Sequence, residues 1–454
     1  MRGTRASLRT MGSALASVAL VTTFLLAPLP AETSAGAAVP PCSTSWTNSA
    51  GGDWATPSNW SAGVPTSTSV ACVTLGGTYT VSIAGWDDTA SALRLGAKHG
   101  TQTLDFLPNC DKAAYLTLHA ASTVGPHGII DLEPATTCAS NAVLTQDGRT
   151  FVNNGLIHAI AGATVINQLQ VNLVNNGDLV LDSAAGSNSR SWTNNGTIEI
   201  ADGVEASVGG NDVQLVNNGA IAATGSGSIV VRGTYVQGQG TTTGATPVVV
   251  LAGRIHYTGD GKSTVVARSE STTLAGNLAP HQKLVIEADC DEGSAVVEAL
   301  ADWTNRGTVV LTRDCGDGSA RLEGEVTVTN LGTIQTKGEA TLDEDVVNKG
   351  TLKIGAGTVN TFDAHITNAP SGTLSVQITG KTHYAHLFDA TLQLAGTLVI
   401  ATADKYWPAA HTTFPIADAG SSTGTFTTVS GTTRTGESVT YHVAYSADGV
   451  KLTT

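Results

Sequence analysis

Charge, aromatic rings and long apolar runs are all scarce in this 454-residue chain. Charged residues make up 13% of it and aromatics 5%. With 51 glycines, this is poor material for helices and suits short strands joined by turns. Basic residues are the rarer sign, 23 against 37 acidic, for a net charge of −14. That balance disfavours nucleic acid and anionic lipid as partners. No phosphate-binding loop, dinucleotide fingerprint, H-E-x-x-H helix or RTX-type calcium repeat occurs. No apolar run after residue 37 is long enough to span a membrane.

The first 37 residues have the layout of an export signal. Arg2, Arg5 and Arg9 precede an apolar run from Met11 to Leu29, and Ala35-Gly36-Ala37 follows as a small-residue cleavage pattern. Cleavage after Ala31 is a second option. Losing three Arg and one Glu with the signal would take the net charge from −14 to −16.

What the chain does have is a repeat. One phrase recurs, as in WTNNGTIEI and WTNRGTVVL, with its glycine at Gly155, Gly177, Gly196, Gly219, Gly307, Gly332 and Gly350 and a looser copy ending at Gly372. The steps are 22, 19, 23, 88, 25, 18 and 22, and the long one has room for degenerate copies. Asn always stands two before the glycine: Asn153, Asn175, Asn194, Asn217, Asn305, Asn330 and Asn348. The residue between varies, as a solvent-facing turn residue should. The glycine is expected to supply a positive φ. Apolar residues sit four before it and two after it, which is the period-two alternation of half-buried strands.

A 22-residue unit of two or three strands fits one coil of a parallel β-helix. Coils stack at about 4.8 Å, so residues 90–376 would make roughly 13 coils and a rod of about 60 Å. The fixed Asn would form a ladder between copies. Asn-Gly between apolar runs also suits antiparallel hairpins, but the middle residue is not held to Asn or Asp, and the long identity exceeds a hairpin spacing. The fold class expected is all-β, a single-stranded parallel β-helix solenoid. The layout expected is a signal over 1–37, a Trp-rich cap over 38–88, coils over 89–376 and a β cap over 377–454.

Six cysteines in an exported chain imply disulfides. Asp289-Cys290-Asp291-Glu292-Gly293 resembles Asp314-Cys315-Gly316-Asp317-Gly318, 25 residues on. Cys110 and Cys138 each precede an Ala by four residues and a Leu by six. Stacked coils would therefore pair Cys290–Cys315 and Cys110–Cys138, leaving Cys42–Cys72.

The opening Trp and Gly pattern (Trp46, Gly51, Gly52, Trp54, Trp60, Gly63, Pro65) and the N-x-G-T coils resemble bacterial secreted β-helix repeat proteins of the adhesin and autotransporter-passenger kind. The resemblance covers nearly the whole mature chain and implies a β-helix with capped ends. It is weak for function, since such proteins include adhesins, surface-layer proteins and polysaccharide lyases of the pectin-lyase-like fold. The membrane barrel of an autotransporter does not fit the roughly 75 residues after the last coil.

Chemistry is harder to find. Asp289, Asp291, Glu292, Asp314 and Asp317 could gather on neighbouring turns as a calcium site. Asp343-Glu344-Asp345 and Asp87-Asp88 read as exposed turns. His383 and His386 point to opposite faces of a strand and cannot easily share a metal with Asp389. Ser422 matches G-x-S-x-G but is followed by a strand, which a nucleophile elbow excludes. Trp192 and Trp303 occupy an apolar slot of the repeat. Trp54, Trp60, Trp86 and Trp407 are candidates for sugar stacking or for cap packing. The reading reached is a secreted, monomeric, non-catalytic β-helix that binds an extracellular glycan or surface protein or serves as surface structure. It needs no cofactor beyond a possible calcium ion. The alternative is a polysaccharide lyase or glycoside hydrolase of the β-helix class, with its site in the degenerate stretch 225–300.

Overall fold

A computed structural model describes residues 40–85, 87–135, 140–162, 166–314, 318–361, 364–433 and 440–454. Within them, equivalent positions of the repeat lie side by side. Trp192 pairs with Leu173 on one side and Leu215 on the other, and Asn194 pairs with Asn175 and Asn217. After the turn, Ile198 pairs with Leu179 and Ile221. Every one of these pairings is parallel. The chain is an all-β parallel solenoid of about 15 turns.

Three strand segments make a turn. Ala142–Asn153 holds two of them and bends between Thr145 and Thr150, where its register against Asn167–Asn175 shifts. Leu156–Ala159 is the third. Among the described residues, antiparallel pairing between strands is confined to the C-terminal end. There Gly449–Thr453 pairs with Thr413–Gly424 and with His442–Ser446. Parallel stacking begins earlier and ends later than 89–376. It runs from Thr44–Ser45, paired with Val70–Val73, to Thr428–Ser430, paired with Thr397–Thr402. That extra stacking accounts for a turn count above the one expected from the repeat alone.

The interior is a set of apolar columns. Phe151, Leu173, Trp192 and Leu215 form one, and Ile157, Leu179, Ile198 and Ile221 another, all buried. Each such side chain contributes on the order of 1.5–3 kcal/mol on leaving water. At the N-terminal end Trp46, Trp54 and Trp60 are buried with their rings edge-on, at 5.1 Å and 4.8 Å between centroids. Cys42 is bonded to Cys72, with Cα atoms 5.8 Å apart. Trp86 lies outside the described residues.

The recurring Asn of each repeat turns inward and is buried. Asn153 donates to Asn175, Asn175 to Asn194 and Asn194 to Asn217, at 2.7, 2.9 and 3.1 Å. A second run goes from Asn305 through Asn330 and Asn348 to Asn368, at 2.8, 2.8 and 2.6 Å. Each amide spends its other hydrogen on a main-chain carbonyl of the next turn, as Asn194 does on Ala220 at 2.9 Å. Between the two runs the buried amides are Gln237 and Gln282, which donate to carbonyls of nearby glycine turns.

Two expectations about the turn are corrected. The middle residue is not merely variable, because Asn154, Asn176, Asn195 and Asn218 form a second, exposed ladder. The repeat glycines do not have positive φ. They are required by close approach instead. A Cβ on Gly177 would collide with the carbonyl of Gly155, and one on Gly196 or Gly219 with the carbonyl of the glycine one turn back. Stacking turns through their tightest corner leaves no space for a side chain there.

The turns around Cys110 and Cys290 share one design. Asn109 and Asp289 each accept main-chain N–H bonds two and three residues on, an Asx turn. Cys110 and Cys290 are both disulfide-bonded, while Cys138 and Cys315 lie outside the described residues. The strands that follow are in the register the proposed pairs need, Ala114 beside Ala142 and Ala295 beside Ala320. Peptide mapping of the unreduced protein should therefore recover Cys110–Cys138 and Cys290–Cys315, and any other pairing would overturn that assignment. The ladder makes a separate prediction. Asn194→Asp replaces two donors by acceptors that face Asn217 and Ala220, so it should destabilise by about 2 kcal/mol or more. Urea unfolding should show it as worse than Asn194→Ala, with the gap narrowing in acid as the carboxyl regains a proton.

Candidate functional site

Among the described residues, two charged columns made by stacking stand out on the exterior of the solenoid. The larger arises because Ala295–Ala299, Ala320–Asn330 and Ala340–Asn348 pair in parallel. Their register sets Glu298 beside Glu323 and Glu323 beside Asp343. Past Glu323 the register jumps, so that Gly324, Glu325 and Val326 stand opposite the single residue Glu344. The extra residues bow outward at the corner. Asp302 and Asp345 flank the bow, and the whole forms a groove of about 920 Å³.

Arg321 pairs with Glu323 at 2.9 Å, and His365 with Asp345 at 3.2 Å. Asp302 accepts the N–H of Thr327 at 2.8 Å. The expectation that Asp343-Glu344-Asp345 is an exposed turn is wrong. The three lie within a strand, and Glu344 is only 1% exposed. Counting by twos from Val346 through Glu344 to Leu342 keeps all three on the inward side. That parity was available in the sequence and was masked by the acidic run.

Glu344 borders the groove but turns its carboxyl inward, toward the core. Its Oε2 accepts a hydrogen bond from Trp303 Nε1 at 3.1 Å, the indole reaching past the turn that holds Val328. Among the described residues its buried Oε1 has no hydrogen-bond partner. Such an oxygen costs about 1–3 kcal/mol. Burial pushes the carboxyl up to about 8, against a smaller lowering by Trp303. Glu344 is therefore mostly protonated at neutral pH.

The second column lies on another face. Asp105 pairs with Asp131 and Asp131 with His158, each pointing out between inward neighbours. Burial, with Glu133 and Asp131 adding repulsion, pushes Asp105 up to about 6. Burial also raises Asp131, while His158 pulls it down. His158 reaches Asp182 at 3.0 Å and Asp131 at 3.7 Å. Nothing in the sequence pointed to this set except the outward parity of each residue within its repeat.

The expected calcium ligands are placed differently. Asp289 organises its own turn and pairs with Arg268 at 3.1 Å, and Arg268 also holds Glu287 at 2.6 Å. Asp291, Glu292 and Asp314 are exposed, and Asp317 lies outside the described residues. Among the described residues no three acids, histidines or cysteines converge as metal ligands do. His386 pairs with Asp418 at 3.0 Å, and His383 contacts Thr382. Ser422 sits inside the strand Thr413–Gly424. Trp54 and Trp60 are core, Trp192 and Trp303 fill the apolar slot, and Trp407 is 46% exposed.

Glu344 gives stability a pH dependence. In the unfolded chain it ionises near the ordinary carboxyl range, and in the folded chain only near 8. Between those values the unfolded chain has lost a proton that the folded chain keeps. Stability is complete below the window, falls as pH rises through it at up to about 1.4 kcal/mol per unit, and levels off above it. Thermal or urea unfolding from pH 4 to 9 should show this fall. Glu344→Gln should remove the part of the fall above about pH 6, leaving below it the share of Asp88 and Asp105, both raised to about 6, and an unchanged slope above pH 6 in that variant would assign the fall to other groups. In comparisons with known proteins, no family model matches the sequence and no curated protein is similar to it.

Proposed function

We propose that the protein is exported and acts outside the cell as a non-catalytic, monomeric β-helix rod. Its exterior columns would bind an extracellular glycan or surface protein. The observation that carries this reading is the axial repetition of charge. In-register strands set like side chains in a line along the rod, which suits an extended partner lying along it better than a compact molecule in a cavity. The Cys42–Cys72 disulfide agrees with an oxidising compartment. No helix among the described residues is long and apolar enough to cross a membrane.

A second reading, glycan cleavage, is favoured by one observation. Asp105 and Asp131 are neighbours on adjacent turns with unequal surroundings. Strand spacing of about 4.8 Å is close to the roughly 5 Å between the carboxyls of retaining glycosidases. Asp105, pushed up to about 6, would serve as the acid and Asp131 as the nucleophile.

A turnover assay separates the two. The disulfide-intact protein is incubated with polyuronates and neutral polysaccharides, with and without Ca²⁺, and new chain ends are followed. The rod reading expects none. Turnover abolished by Asp105→Asn or Asp131→Asn would establish the enzyme reading instead.

A further inference from the structure

We infer that a basic cleft in the first turns of the solenoid binds the carboxylate of an acidic glycan, one built from uronic acids. The inference rests on the reading of the rod as a glycan binder and supplies the class of glycan.

The cleft encloses about 660 Å³. Arg94 faces it from between the inward Leu93 and Leu95, in register with Cys72 on the turn before and Thr123 on the turn after. Cys42, bonded to Cys72, lines it too. Lys98 and His99 come from a bend over residues 96–100 that is held in place. Gly96 and Gly100 have φ of +106° and +75°, and a Cβ on Gly100 would collide with the main chain of Gly77. The buried Gln102 accepts the N–H of Ala97 and donates to the carbonyls of Gly77 and His99. Both basic side chains therefore hang from an anchored main chain.

Two separate observations point to an anion. The first is the sign of the lining. Arg94, Lys98 and His99 line the cleft and, among the described residues, no acid does. This happens in a chain where acids outnumber bases by 37 to 23. The second is a missing partner. The half-buried Arg268, Arg313 and Arg321 hold Glu287, Glu339 and Glu323. Arg94 is half-buried as well, yet among the described residues nothing pairs with its guanidinium. A carboxylate from outside fits that fork with two parallel hydrogen bonds.

The lining also selects the kind of anion. Among the described residues no large exposed apolar side chain borders the cleft, so a peptide finds no seat for an anchor. Thr74 and Thr123 set hydroxyls beside the cations. A sugar ring carrying both hydroxyls and a carboxylate matches that mixture. The net negative charge of the chain repels a polyanion from the rest of the rod, which confines it to the cleft.

The test uses the full mature chain and fluorescein-labelled trigalacturonate, followed by anisotropy, with labelled cellotriose as the neutral sugar. Trigalacturonate should bind the more tightly. Arg94→Gln should weaken it about tenfold or more. Arg94→Lys, which keeps the charge and loses the fork, should weaken it less, and Lys98→Gln several-fold. A control with Arg232→Gln and Arg306→Gln, both exposed, should change it less than twofold. On the unaltered protein, trigalacturonate should slow phenylglyoxal labelling of Arg94 and leave Arg232 unchanged. Equal weakening in Arg94→Gln and the control, or unslowed labelling of Arg94, would overturn the inference. So would displacement of the probe by inorganic phosphate or sulfate at lower concentration than by unlabelled trigalacturonate. Cellotriose bound with Arg94 unprotected would sink the cleft and leave the rod a glycan binder, whereas binding of neither sugar nor any polysaccharide would sink both.

Discussion

The close approach of successive turns at the Asn-x-Gly corner is the constraint on which the rest depends. Turns can stack at strand spacing only if nothing projects from the corner, and the repeat glycine provides that. Once the corners meet, the buried Asn two residues earlier is within reach of its copies, and a ladder forms. The ladder satisfies amides that would otherwise be costly to bury. With the corner fixed, the strands on either side keep the same parity in every turn. Apolar columns inside and like side chains outside are both consequences of that one registration.

The exterior chemistry is thus inherited from the scaffold. A residue placed outward in one repeat meets the outward residue of the next at about 4.8 Å. Asp105, Asp131 and His158 are brought together in this way, as are Glu298, Glu323 and Asp343. Partial burial moves Asp105 in the one column away from its ordinary range, and behind the other the inward Glu344 is moved further. Sites on such a rod need no convergent loops, since translation along the axis does the gathering.

The fold was largely legible because the repeat is explicit and its apolar positions alternate on both sides of the turn. The inward ladder was legible for the same reason. The role of the glycine was not, since a sequence cannot distinguish a positive φ from an approach too close for a Cβ. The exposed ladder of Asn154, Asn176, Asn195 and Asn218 was hidden by the other repeats, where Arg306, Leu331 and Lys349 take that place. The groove was hidden by composition. Asp343, Glu344 and Asp345 look like a turn, and only the parity with Val346 and Leu342 shows that a strand runs through them. The bow at Gly324–Val326 shows no repeat at all, so nothing marked it in advance.

Near-identical repeats carry a hazard of miscounting. A chain that skipped one coil during assembly could still match Asn to Asn and apolar to apolar, because every rung is alike. The two asparagine runs are separated by turns that hold Gln237 and Gln282, whose longer side chains bond glycine carbonyls, Gln237 that of Gly240 in its own turn and Gln282 that of Gly259 one turn back. A glutamine rung does not substitute for an asparagine rung without repacking its neighbours. The interruption therefore works as a registration mark along the rod, limiting how far a slip of one coil can spread before it meets a rung that refuses it.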